Sequence, residues 1–255
     1  MPEVEKLGSA EDQQSPARFQ ETRWSLVALA SEQGGAESRR ALNELCQIYW
    51  FPLYAYLRRS GTPKEAAEDL TQDFFLWLIE RDRLRLADQR AGKLRSFLLT
   101  CLKHFAANAH RKAVAERRGG KAAHVSVDGD WAEERLLAEP GDPSLPELLF
   151  DWSWAHCLFE NALAAVRRAF EAKGFGDRFA ALRPFLSGSP PGGYGAAAAA
   201  LGISEGAAKG AVHRMREAFR EELRREVRAT LAHPTPADID AELNHLFGVL
   251  GAASL

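Results

Sequence analysis

Cysteine is scarce. Cys46, Cys101 and Cys157 are the only three in 255 residues, they lie far apart, and none forms a CxxC pair. A disulfide framework or a thiolate zinc site is not expected, whereas buried free thiols in a reducing compartment are. The seven histidines show no HExxH spacing, and His104 and His110, six apart, do not share a helical face. No glycine loop precedes a Lys-Ser or Lys-Thr pair. Metal-assisted and nucleotide-hydrolysing chemistry therefore have no carrier, and neither an enzyme nor a cofactor is expected. No stretch approaches the roughly 20 apolar residues of a membrane span. The first 17 residues are acidic and polar (Glu3, Glu5, Glu11, Asp12), and no apolar leader segment follows them. The expectation is a cytoplasmic protein without a membrane partner.

Strand-type alternation is also missing beyond His124–Val127, while helical periodicity is abundant. Leu42, Leu45, Cys46, Tyr49, Leu53, Tyr56 and Leu57 share one helical face, with Pro52 inside the pattern, where it should kink or divide the helix. Thr62-Pro63-Lys64-Glu65 reads as a capping box opening a second helix, with Ala67, Leu70, Phe74, Trp77 and Leu78 on one side. Glu65, Glu68, Asp69, Gln72 and Asp73 line another side. A third helix over about 93–115 has a core face of Leu94, Phe97, Leu98, Cys101, Leu102 and Phe105.

Further on, Ser144-Leu145-Pro146-Glu147 opens a helix with Trp152, Ala155, Phe159, Ala162, Val166 and Ala169 on one face. A shorter helix over 177–186 precedes a Ser/Gly/Pro loop. The helix 194–201, the turn Leu201-Gly202-Ile203-Ser204 and a long helix from Ser204 to about Thr230 then follow. The fold class is all-α, as two small helical domains joined by a flexible linker. The divisions are a disordered tail at 1–20, a domain at 21–118, a linker at 119–145 rich in Gly and Pro, a domain at 146–230 and an extension at 231–255. A short helix over 22–33 and a last one over 238–250 complete the reading.

The net charge of −2 does not announce a nucleic-acid binder, but it hides segregation. From Lys93 to Lys121 there are eight basic residues (Lys93, Arg95, Lys103, Arg111, Lys112, Arg117, Arg118, Lys121) against one acid, Glu116. Such a helix can neutralise phosphates. A small Ala-rich helix, a Gly-containing turn and a longer basic helix also describe a helix-turn-helix, whose second helix enters the major groove. There Lys209, His213, Arg214, Arg216 and Arg220 lie off the apolar stripe. The acidic helix 65–80 suits instead a protein partner with a basic groove, with Phe74 or Trp77 as apolar anchors. Each of the three also has a plainer reading, as a solvated charged face of an ordinary helix.

Taken together, these features resemble the extracytoplasmic-function sigma factors. Ala66–Phe75, AAEDLTQDFF, looks like the region-two signature of that family. The stretch Gly92–Lys112, GKLRSFLLTCLKHFAANAHRK, resembles its promoter-melting and minus-ten-reading helix, and Tyr194–Arg220 resembles region four. The resemblance implies a sigma factor that binds core RNA polymerase and directs promoter recognition. It implies docking on the polymerase β′ clamp through Glu68, Asp69, Gln72, Asp73 and Phe74. It implies minus-ten contacts by Arg95, Lys103, Asn108, Arg111 and Lys112, and minus-thirty-five contacts by Ser204, Lys209, His213, Arg214 and Arg216, with a further contact to the β flap. The partners implied are core polymerase and promoter DNA, and an anti-sigma factor is a further one that the family allows. The helix before the turn, YGAAAAALG, lacks the Glu that the family commonly carries there, and Phe97 stands where the family usually has Trp. The alternative is a stand-alone helix-turn-helix regulator, which would need a dimer interface to read a palindrome.

Overall fold

The computed structural model describes residues 36–80, 93–116, 130–139, 146–231 and 234–252. Among them are nine α-helices, one 3-10 turn and no strand. They are α1 (Ala36–Arg59), α2 (Lys64–Glu80), α3 (Leu94–Glu116), α4 (Asp130–Ala138), α5 (Pro146–Glu171), α6 (Gly176–Leu182), α7 (Gly193–Leu201), α8 (Glu205–Thr230) and α9 (Pro236–Ala252), with the 3-10 turn Arg183–Leu186 after α6. The expected tail at 1–20 and helix at 22–33 lie outside the described residues.

The all-α class agrees with the periodicity; several details do not. Helix α1 runs through Pro52 undivided. Proline removes one hydrogen bond from a helix, but here its ring is buried and Tyr49, Leu53, Tyr54 and Leu57 on either side are almost wholly buried, so packing holds both halves in one helix. The helix ends where Gly61 takes a left-handed φ of 88°. Gly61 N–H then reaches the Arg58 carbonyl and Thr62 N–H the Leu57 carbonyl, both at 3.0 Å, which is the paired closure that a left-handed residue permits.

The segment 119–145, expected as a flexible linker, contains α4. Its nine residues are fixed by charge as much as by apolar contact. Glu133 accepts from Arg58 Nε at 2.6 Å and Nη2 at 3.0 Å, and also from the Tyr54 hydroxyl. Trp131 packs on Trp50 and Phe51 of α1, with ring centroids 5.5 and 5.8 Å apart.

Helix α5 organises the rest. It packs against α1, α8 and α9. Its buried residues, Leu149, Phe150, Ser153, Trp154, Ala155, Cys157, Leu158, Ala162, Leu163 and Val166, spread over more than one stripe, as in a helix enclosed by neighbours. Trp154 is fully buried, while Trp152, expected on the core face, is half-buried and stacks on His156. About one and a half turns further along α5, at its middle, Phe159 meets Phe219 of α8 edge to face at 4.8 Å. One hydrophobic cluster therefore runs from Leu45 of α1 to Leu246 of α9.

Candidate nucleic-acid interface

Three surfaces follow from the sequence, and each differs in part from expectation. On α2, Glu65, Asp69, Gln72, Asp73 and Leu76 fall at helical spacing along one outward-facing side. Glu65 and Asp73 are exposed, and Asp69 and Gln72 half-buried. Phe74, expected as an anchor for a partner, is 0% exposed. It stacks on Trp77 at 5.9 Å and packs on Phe105 of α3 at 5.8 Å, because it lies on the stripe that joins α2 to α3. Glu68 is buried too, and burial raises its carboxyl pKa above the ordinary value. The exposed apolar residue on this helix is Leu76, at 54%. Its signal was available in the sequence, since it stands three residues after Asp73 and four after Gln72.

On α3 the outward stripe is Ser96, Thr100, His104, Ala107, Asn108 and Arg111, all exposed. Asn108 and Arg111 are hydrogen-bonded to each other. Lys103 is turned aside: its ammonium donates to Glu147 of α5 at 2.7 Å and sits 5.5 Å from the Tyr56 ring. The side chain of Lys112 lies outside the described residues.

Arg95 is corrected most. Its side chain is 5% exposed and its guanidinium lies 4.2 Å over the Trp154 ring. It donates to Asp151 of α5 at 3.1 Å and to Glu242 of α9. Burial lowers its pKa, against the pull of Asp151. Arg95 stands seven residues before the core residue Leu102, a spacing of about two turns, so the core-side position was readable.

The third surface is the pair α7 and α8, joined by residues 202–204. Gly202 closes α7 with a left-handed φ of 62°, and its N–H meets the carbonyls of Ala198 and Ala199. The Ser204 hydroxyl accepts from the Ala207 N–H at 3.2 Å, so this candidate contact is the N-cap of α8. Ala208, Ala211, Val212, Met215 and Phe219 turn inward, leaving Gly206, Lys209, His213, Glu217 and Arg220 exposed. Lys209 pairs with Glu205 at 2.9 Å, which raises its pKa. Arg214 is exposed and borders a groove of about 280 Å3 with Phe170 and Phe175. Arg216 is committed elsewhere. Its guanidinium donates to the Phe185 carbonyl at 3.1 and 2.6 Å, satisfying the 3-10 turn, because it stands four residues after Val212 and three before Phe219.

Among the described residues no group of three or more His, Cys, Asp or Glu could hold a metal ion, and no helix is long and apolar enough to cross a membrane. Cys46, Cys101 and Cys157 form no disulfide, and burial pushes the Cys46 thiol up to about 11. No family model, no curated protein and no solved structure matched the chain.

Proposed function

We propose that this chain is a sigma factor: it binds core RNA polymerase and directs it to promoters, without catalysis of its own. The observation that carries this reading is the outward face of α2. Acidic Glu65, Asp69 and Asp73, polar Gln72 and a single apolar Leu76 leave a compact patch of one charge sign with one anchor. Nothing in binding DNA calls for it. It suits a basic protein groove, where charge steers the encounter and a buried apolar residue supplies most of the affinity.

The remaining surfaces fit the same role. The N-terminal part of α8 offers Lys209 and His213 to a major groove, with Gly206 and Gly210 letting the backbone approach closely. The end of α3 offers Asn108 and Arg111 to nucleic acid. Opening a duplex costs a few kcal/mol, and polymerase docking and promoter contacts together would offset that cost.

The test is co-purification of tagged protein with core polymerase from its host's lysate, beside a folded Asp73→Arg/Leu76→Glu variant. Polymerase should accompany the parent and be lost from the variant. A parent that retains no polymerase overturns the reading. A stand-alone DNA-binding regulator, for which the capped α7–α8 pair is sufficient, then becomes the better account.

A further inference from the structure

The ion cluster at the start of α3 has no place in the reading above. Glu242 of α9 is 1% exposed and bonds both Lys93 and Arg95. Asp151 takes the other side of Arg95, and His245 of α9 lies 3.4 Å from Asp151. Two cations thus face two carboxylates, and the chain separation is 147 residues between Arg95 and Glu242. Enclosed ion pairs contribute little net stability, because desolvation of both partners opposes their attraction; packed apolar residues serve a core as well or better. Such a cluster specifies an arrangement more than it strengthens one.

Take α9 away and the balance changes. Lys93 and Arg95 then face Asp151 alone, an excess of one positive charge. They sit at the first turn of a 23-residue helix, where unpaired N–H groups and the helix dipole add positive potential. The indole nitrogen of Trp154, beneath Arg95, is buried without a hydrogen-bond partner. The same helix carries Asn108 and Arg111 on its exposed stripe.

We propose that Lys93 and Arg95 form a phosphate site for a nucleic-acid backbone, and that the Glu242 carboxylate occupies it in cis, so that α9 and nucleic acid compete for one pair of cations. This rests on the nucleic-acid reading of α3. Helix α9 is held otherwise by Ile239, Leu243, Leu246 and Val249 and by an exposed Arg224–Asp240 pair at 2.5 Å. A polyanion that presents several phosphates at once is therefore the competitor with enough contacts to displace it.

The experiment uses the full chain and a fluorescein-labelled single-stranded oligothymidylate, read by anisotropy over a salt series. Glu242→Gln should tighten binding about tenfold, a coupling of ordinary allosteric size. It should also steepen the plot of log K against log salt by roughly 0.7 for each phosphate engaged. Adding Arg95→Ala should cancel both changes. In the parent, saturating oligonucleotide should remove hydrogen-exchange protection from the α9 amides, a measurement that needs no variant. Unchanged affinity in Glu242→Gln together with α9 protected in the DNA-bound parent would sink the proposal and make the cluster purely architectural. Absence of oligonucleotide binding in every form would also overturn it, while the polymerase test through Asp73 and Leu76 would stand unaffected.

Discussion

Arg59 and Glu139 meet at 3.0 Å across 80 residues of sequence, with side chains 7% and 3% exposed. Ser153 of α5 donates to the same carboxylate at 2.6 Å and accepts from Arg59 at 3.1 Å. The three side chains tie α1, the end of α4 and α5 at one point.

Removing one member leaves an enclosed charge without its partner, which costs about 3–5 kcal/mol. Glu139→Ala should lower the unfolding free energy by that order in a urea titration. Arg167→Ala, which breaks the exposed pair with Glu171, should shift it by no more than about 0.5 kcal/mol.

Phe74 and Leu76 should separate folding from docking. Phe74→Ala removes a fully buried ring and should cost about 3–5 kcal/mol. Leu76→Ala should leave stability within about 0.5 kcal/mol yet weaken polymerase binding at least about tenfold. Thermal melts and a pull-down titration on the two variants read these outcomes, and undiminished polymerase binding by Leu76→Ala would count against Leu76 as the anchor.

Ser204 can be tested as a cap. Ser204→Ala should cost about 1 kcal/mol, and Ser204→Asp should restore most of it, since Asp caps as well and favours the helix N-terminus. Binding to duplex DNA should fall in the Asp variant, where a negative charge meets phosphate at the end of α8. Restored stability with undiminished DNA binding would move the nucleic-acid surface away from this turn.

Stability should fall in mild acid. Burial and then the Arg95 charge pull the His245 pKa below its ordinary 6.5, with Lys93 adding to this and Asp151 opposing it. Burial and Arg135 do the same to His156, against Glu160 and Glu139. The folded state holds these protons less readily than the unfolded chain. As pH falls through 6.5 the unfolded chain therefore binds more protons, and the stability present above that pH is lost. The Tm should drop between about pH 7 and about pH 5.5, and a His156→Asn/His245→Asn variant should flatten the slope. Below 4.5, protonation of Glu133, whose pKa the Arg58 hydrogen bond lowers, adds loss of the same sign.

What was legible in the sequence is what depends on spacing. The three- and four-residue periodicity gives the helices and their inward residues, and the Gly202–Ser204 signals give the turn and its cap. What escaped depends on distant partners. Helix α4 is nine residues long, exposes Leu137 and Trp131, and gains its fixity from Arg58, Tyr54 and Lys64, which are 66 or more positions away. Lys103 sits in a basic run that reads as solvent-facing, yet its partner Glu147 comes from a helix further along the chain, and although spacing places Arg95 on the core side, its partner Glu242 lies 147 residues away. A charge run shows where cations are, and tertiary contacts decide which of them remain exposed.

Helix α5 belongs to both ends of the molecule, since Trp154 serves the side of α1 and α3 while Phe159 serves α8. No cut within it leaves two whole cores. An exchange of the α7–α8 end between related chains would have to carry α5, and with it the complementary faces of α1 and α9. Drift in this lineage should therefore run along outward stripes, with the seam around α5 inherited as one block.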